Sequence, residues 1–164
     1  MTFQSNAQIH QFISGAYFHD TFTTYIQNHN QSAMDVYIEL MSKSPQWVNA
    51  LMDLRNRIVG VFGLKNLGKM RELQSDKKAA DYRVGDRVGI FTLHSVNRQE
   101  VILKDNDKHL NVKVSFYLED LGDRIQVHAT TVVHVHNNLG RLYMLFVTPA
   151  HKIIVPSSLK TLTS

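Results

Sequence analysis

The sequence predicts an α+β fold: a strand, two helices, an antiparallel sheet and a long kinked C-terminal helix. Three observations predict it. Trp47, Leu51, Leu54, Ile58 and Val61 recur at helical spacing and make one apolar stripe. From residue 87 onward the apolar period changes to two, most clearly at 109–119 and 124–136. The last segment, 138–162, is apolar nearly all round and long enough for several helical turns.

Residues 17–26 (YFHDTFTTYI), rich in aromatics and threonine, read as the first strand. Ser32 offers a helix N-cap, and Asp35 three residues on resembles the acid of a capping box, so 32–42 is a short helix. Ser44 as N-cap with Pro45 at the first helical position opens the second helix, about 44–61, because proline lacks only an N–H that has no partner there. The polar stretch 64–83 reads as a mobile linker or loop holding at most one short strand. Strands follow at 87–96 and 99–105. In 109–119, Leu110, Val112, Val114, Phe116 and Leu118 alternate with polar or amphipathic residues. The turn Asp120–Asp123 leads to 124–136, where Ile125, Val127, Ala129, Thr131, Val133 and Val135 share a face, giving an antiparallel meander with one covered side. The Asn137-Asn138 pair starts the final helix, which Pro149 and Pro156 interrupt, each removing one backbone hydrogen bond.

With 164 residues the chain fits one domain, folded over 15–162. It has no cysteine, which excludes disulfides, thiolate metal sites and cysteine nucleophiles and points to a cytoplasmic location. Lys and Arg number 18 against 14 Asp and Glu; residues 1–54 hold one base and four acids, and no acid follows Asp123. No block of five like charges and no RNA-binding or zinc-finger signature occurs, so nucleic acid is not an expected partner. The N-terminus does not read as a secretion signal. The longest apolar stretch, 142–155, falls short of the ~20 residues of a membrane span, so no transmembrane segment is expected.

Three stretches, PQWVNALMDLRNRIVGVFGLK (45–65), DKHLNVKV (107–114) and HNNLGRLYMLFVTPAHKIIV (136–155), resemble a domain of unknown function family, number 2867. The element order also resembles the helix-grip fold of the START and Bet v 1-like (SRPBCC) superfamily. The resemblance implies a single START-like domain over 1–164 whose curved sheet wraps the last helix around an apolar cavity. It implies no catalytic residues. The sequence accounts for five or six strands where the superfamily usually has seven.

Nine histidines are the first candidates for chemistry. His134 and His136 lie about 6–7 Å apart along one strand, a usable metal pair, but no third ligand is near in sequence, so packing roles and no metal or other cofactor are expected. His109 follows Asp107-Lys108 in a turn and His151 follows the Pro149 kink; either could act as a general acid/base. Asn137 and Arg141 lie at the strand-to-helix junction. Arg141 in the first turn opposes the helix dipole, which calls for an internal carboxylate or a bound anion. Thr131, polar on an inward face, either bonds the backbone or points into a cavity.

The leading reading is a module that binds an apolar or lipid-like small molecule between sheet and final helix, with Val114, Phe116, Ala129, Thr131, Tyr143, Met144 and Val147 as walls. The second is a cyclase, dehydratase or hydrolase on the same fold using His109 or His151. The third is a homodimer or partner-docking protein that covers the surplus apolar side of the final helix.

Overall fold

The computed structural model describes residues 6–61 and 77–164, without the side chains of residues 47, 51, 54, 55, 58, 59 and 61. Two expectations therefore lie wholly or mainly outside the described residues: the stripe from Trp47 to Val61, and most of the 64–83 linker. Six strands, β1 (Phe18–Gln27), β2 (Arg87–Val88), β3 (Phe91–Val96), β4 (Glu100–Asn106), β5 (Leu110–Asp120) and β6 (Arg124–Val135), form one antiparallel sheet in the order β1-β6-β5-β4-β3-β2. Between β1 and β2 come helices α1 (Ala33–Ser42) and α2 (Gln46–Val61); α3 (Asn138–Lys160) follows β6. The curved sheet and long last helix make a helix-grip arrangement.

Local chemistry accounts for the boundaries. Ser32 Oγ accepts from the Asp35 amide at 3.2 Å and the Asp35 carboxylate accepts from the Ser32 amide at 2.8 Å, completing the expected capping box. The second helix starts one residue later than expected. The Pro45 carbonyl accepts from the Val48 and Asn49 amides, and Ser44 Oγ donates to Leu40 O of α1 at 3.2 Å. The segment 87–96 is two strands, not one. Val88 pairs with Phe91 across the reversal Gly89-Ile90, and Gly89 at φ 65° takes the left-handed conformation the reversal requires. Both prolines of α3 lie within one continuous helix.

Each strand's alternation puts one set of side chains inward. Ile26, Val101, Leu103, Phe116, Leu118, Ile125, Val127 and Ala129 meet Met34, Tyr37, Leu40 and Met41 of α1 and Leu159 at the end of α3. Tyr37 is fully buried; its hydroxyl donates to Val88 O at 2.8 Å, and burial pushes the phenol far above its usual range. The opposite face is also covered. The sequence places no element before residue 15, yet Gln8–Phe12 form a 3-10 turn whose Ile9 is buried against Ile102, Tyr117 and Val132. What holds the turn is Glu100 on β4, 2% exposed, which accepts from the Gln8 amide (2.6 Å), the Ile9 amide (3.1 Å) and Ser115 Oγ (2.6 Å). Beside it, burial and then the Glu119 and Glu100 charges raise the Tyr117 phenol. Among the described residues no helix is long and apolar enough to cross a membrane.

Candidate functional site

Phe18, Asp20, Phe22 and Ile26 occupy alternate positions of β1 and face inward with their partners Val133, Thr131, Ala129 and Ile125 on β6. An acid at an inward position needs a partner. It comes from α3, whose inward residues Gly140, Met144, Val147, His151, Ile154 and Ser158 recur at helical spacing. His151 Nε2 lies 3.1 Å from Asp20 Oδ1, with both side chains largely buried. The imidazole meets Phe18 edge-on at 5.8 Å and is tilted against Phe22 at 6.2 Å. Its Nε2–H donates to the carboxylate, and in the neutral tautomer with that proton Nδ1 is the acceptor. Asp20 Oδ2 is buried and has no hydrogen-bond partner. An imidazole oriented by a carboxylate can take a proton at Nδ1, and the second carboxylate oxygen can accept from a hydroxyl or amine.

The two candidate histidines are placed differently. His109 does not meet the carboxylate next to it in sequence through its ring: Asp107 Oδ1 accepts from the His109 backbone N–H at 3.2 Å. The His109 ring turns to Asn137, whose Oδ1 accepts from the Gly140 amide at 3.0 Å as the α3 N-cap and whose Nδ2 donates to His109 Nδ1 at 2.9 Å. That tautomer carries its proton on Nε2, a buried atom with no partner. Arg141 is exposed, and among the described residues no carboxylate pairs with it.

The residues expected to line a cavity divide into three groups. Phe116 and Ala129 lie in the main core, Phe116 against the Tyr37 ring at 5.5 Å. Met144 and Tyr143 pack with Leu110 and Val133 near the start of α3. Val114, Thr131 and Val147 lie closest to the Asp20–His151 pair in register and helical spacing: Thr131 is opposite Asp20, and Val114 is opposite Thr131. Sequence reasoning missed Asp20, whose signal was an acid in phase with Phe18, Phe22 and Ile26. It also missed Asp105, a second buried carboxylate in phase with the inward Val101 and Leu103.

Other candidates have structural partners. His134 Nε2 donates to Phe12 O at 2.8 Å, His128 Nε2 lies 3.3 Å from Glu119, and among the described residues no three His, Asp or Glu side chains gather as metal ligands. An open cleft of about 470 Å³ at one end of the sheet is lined by Asn28, Asn30, Gln31, Asn97, Arg98 and Gln99. Its amides are largely committed to the loops: Asn28 to Asp120 and Gly122, Gln31 to Gln27 and His29, and Asn97 to the Gln99 and Glu100 amides.

The fold and inward-facing pair define an α+β protein of helix-grip type with a polar dyad between sheet and last helix. Residues 12–158 match the model of a family described as protein of unknown function (DUF2867), and the chain belongs to that family. No curated protein matches it.

Proposed function

We propose that this protein binds a small, mainly apolar molecule between the inward face of the sheet and α3, as the START and Bet v 1-like superfamily does. One observation carries the reading. Val112 and Val114 lie inward on β5, which has strands on both sides, yet both are only half-buried. Both also pack against the core, Val114 with the main cluster and Val112 beside Leu110 and Val133, and their remaining exposed surface supports a space between sheet and α3. Phe18, Phe22, Val114 and Val147 supply apolar walls, while Thr131, Asp20 and His151 supply the few placed polar groups such sites use to orient a ligand. A ligand with one hydroxyl or amine would meet the free lone pairs of Asp20 Oδ2.

The test is titration with 1-anilinonaphthalene-8-sulfonate, together with mass spectrometry of molecules extracted from the purified protein. Val114→Trp, which fills the space, weakens probe binding at least tenfold, and Arg141→Gln, at the exposed start of α3, leaves it unchanged. Equal binding by wild type and Val114→Trp overturns the site. The Asp20–His151 pair favours a second reading, acid/base catalysis of cyclase, dehydratase or hydrolase type in the same space. The absence of cysteine supports a cytoplasmic location. The exposed apolar side of α3 supports a homodimer.

A further inference from the structure

A second site lies on the opposite face of the sheet. Lys104 of β4 and Lys113 of β5 are direct cross-strand partners. Their Cβ atoms are therefore about 5 Å apart, and like charges so placed repel. Both lysines are only half-exposed, and among the described residues no carboxylate pairs with either. The acid on the same face of β4, Glu100, is four residues along the strand and already bound by two amides and Ser115.

Two further features converge on the pair. The register between β3 and β4 shifts between Leu93 and Ser95, so His94 is the extra residue of a bulge, a device that re-aims a side chain. Partial burial, then the charges of Lys104 and Lys113, hold its imidazole below the usual range. Phe12 forms a wall. Its ring meets His94 edge-on at 5.5 Å, Lys113 Nζ lies 4.6 Å from its centroid, and its carbonyl is fixed by His134.

We propose that Lys104, Lys113 and His94, walled by Phe12, bind the phosphate group of a small phosphorylated molecule on the outer face of the sheet. A phosphomonoester carries close to two negative charges near neutral pH and offers three acceptor oxygens. Two ammonium groups carried at paired positions of neighbouring strands match that charge, and ammonium is a compact point-charge ligand for phosphate. The bound anion removes the repulsion that the folded chain otherwise carries. This site is independent of the inward-facing one.

Calorimetric titration of the full chain with inorganic pyrophosphate, against sodium chloride of equal ionic strength, tests the assignment, with the His94 ring C–H resonances as a local reporter. Saturable binding that shifts those resonances is expected, and Lys104→Gln or Lys113→Gln weakens it about tenfold or more. Because Lys104→Gln removes a like-charge contact, its thermal midpoint stays equal or rises, separating lost binding from lost folding. Lys113→Gln also gives up the Phe12 ring contact, and its binding is read at a temperature well below its own midpoint. Three outcomes overturn the site: no saturable heat, saturable binding unchanged in both variants, or binding of a long polyanion such as heparin with none of pyrophosphate.

Discussion

Glu100 shows how one side chain organises a layer. Its strand neighbours are apolar, and it bonds two amides of a segment more than 90 residues earlier and one hydroxyl on the adjacent strand. Hydrogen bonds to a charged group contribute about 1.5–3 kcal/mol each, and unpaired buried donors add a penalty when the acceptor is lost. Glu100→Gln keeps the shape but presents a donor where three donors converge. It is expected to lower unfolding stability by about 2–4 kcal/mol in urea. The Gln8 and Ile9 amides should lose hydrogen-exchange protection before the strand amides do. Unchanged exchange at those two amides would show that apolar contacts of Ile9 alone hold the segment. The sequence conveyed none of this, because the acid's partners are backbone amides in a stretch without period. Asp20 differs: its position in phase with Phe18 and Phe22 was readable, but His151 is 131 residues away and only the fold joins them.

At the scale of elements, local signals were read correctly where chemistry is local. Ser32 and Asp35 cap α1, Asn137 caps α3, and period-two alternation placed β5 and β6. Signals failed where two elements share a continuous pattern: 87–96 alternates through a reversal that only Gly89 marks. The entry to α3 shows how tightly such junctions are built. A Cβ on Gly140 would lie 2.5 Å from the His109 carbonyl oxygen and 2.9 Å from Val135 Cγ1. The first contact is with backbone, so relief requires the helix start to move off the β4–β5 turn. Gly140→Ala gains helix propensity, yet overpacking costs about 1–3 kcal/mol. Net destabilisation is expected in thermal unfolding, with shifted resonances at His109 and Asn137. A variant as stable as wild type would mean that the junction yields freely and does not fix the helix.

For the whole molecule, the remaining question is what covers α3. Its inward side is set against the sheet, while Leu142, Leu145, Phe146 and Ile153 are 47%, 66%, 74% and 62% exposed. Leu145 and Phe146 lie three and four residues after Leu142, and Ile153 lies seven after Phe146, so they form a single stripe in which Pro149 also lies exposed. Scattered exposed apolar residues are ordinary, but a contiguous stripe on one helix marks an interface. Between Leu142 and Val155 the only formal charge is Lys152, so two copies of the stripe can meet without burying opposed charges at every turn. A twofold axis across α3 would pair each stripe with itself, the commonest way a single surface closes on a second copy. The chain is therefore expected to sediment at about twice its 18.8 kDa mass. Leu145→Glu, together with Phe146→Glu, places like charges at the axis and should return it to the monomer without loss of helix content. Wild-type protein that remains monomeric at high micromolar concentration would leave the stripe uncovered by a second copy. In that case the inward site would have to function within a single chain, and its ligand-binding stoichiometry would be one per monomer.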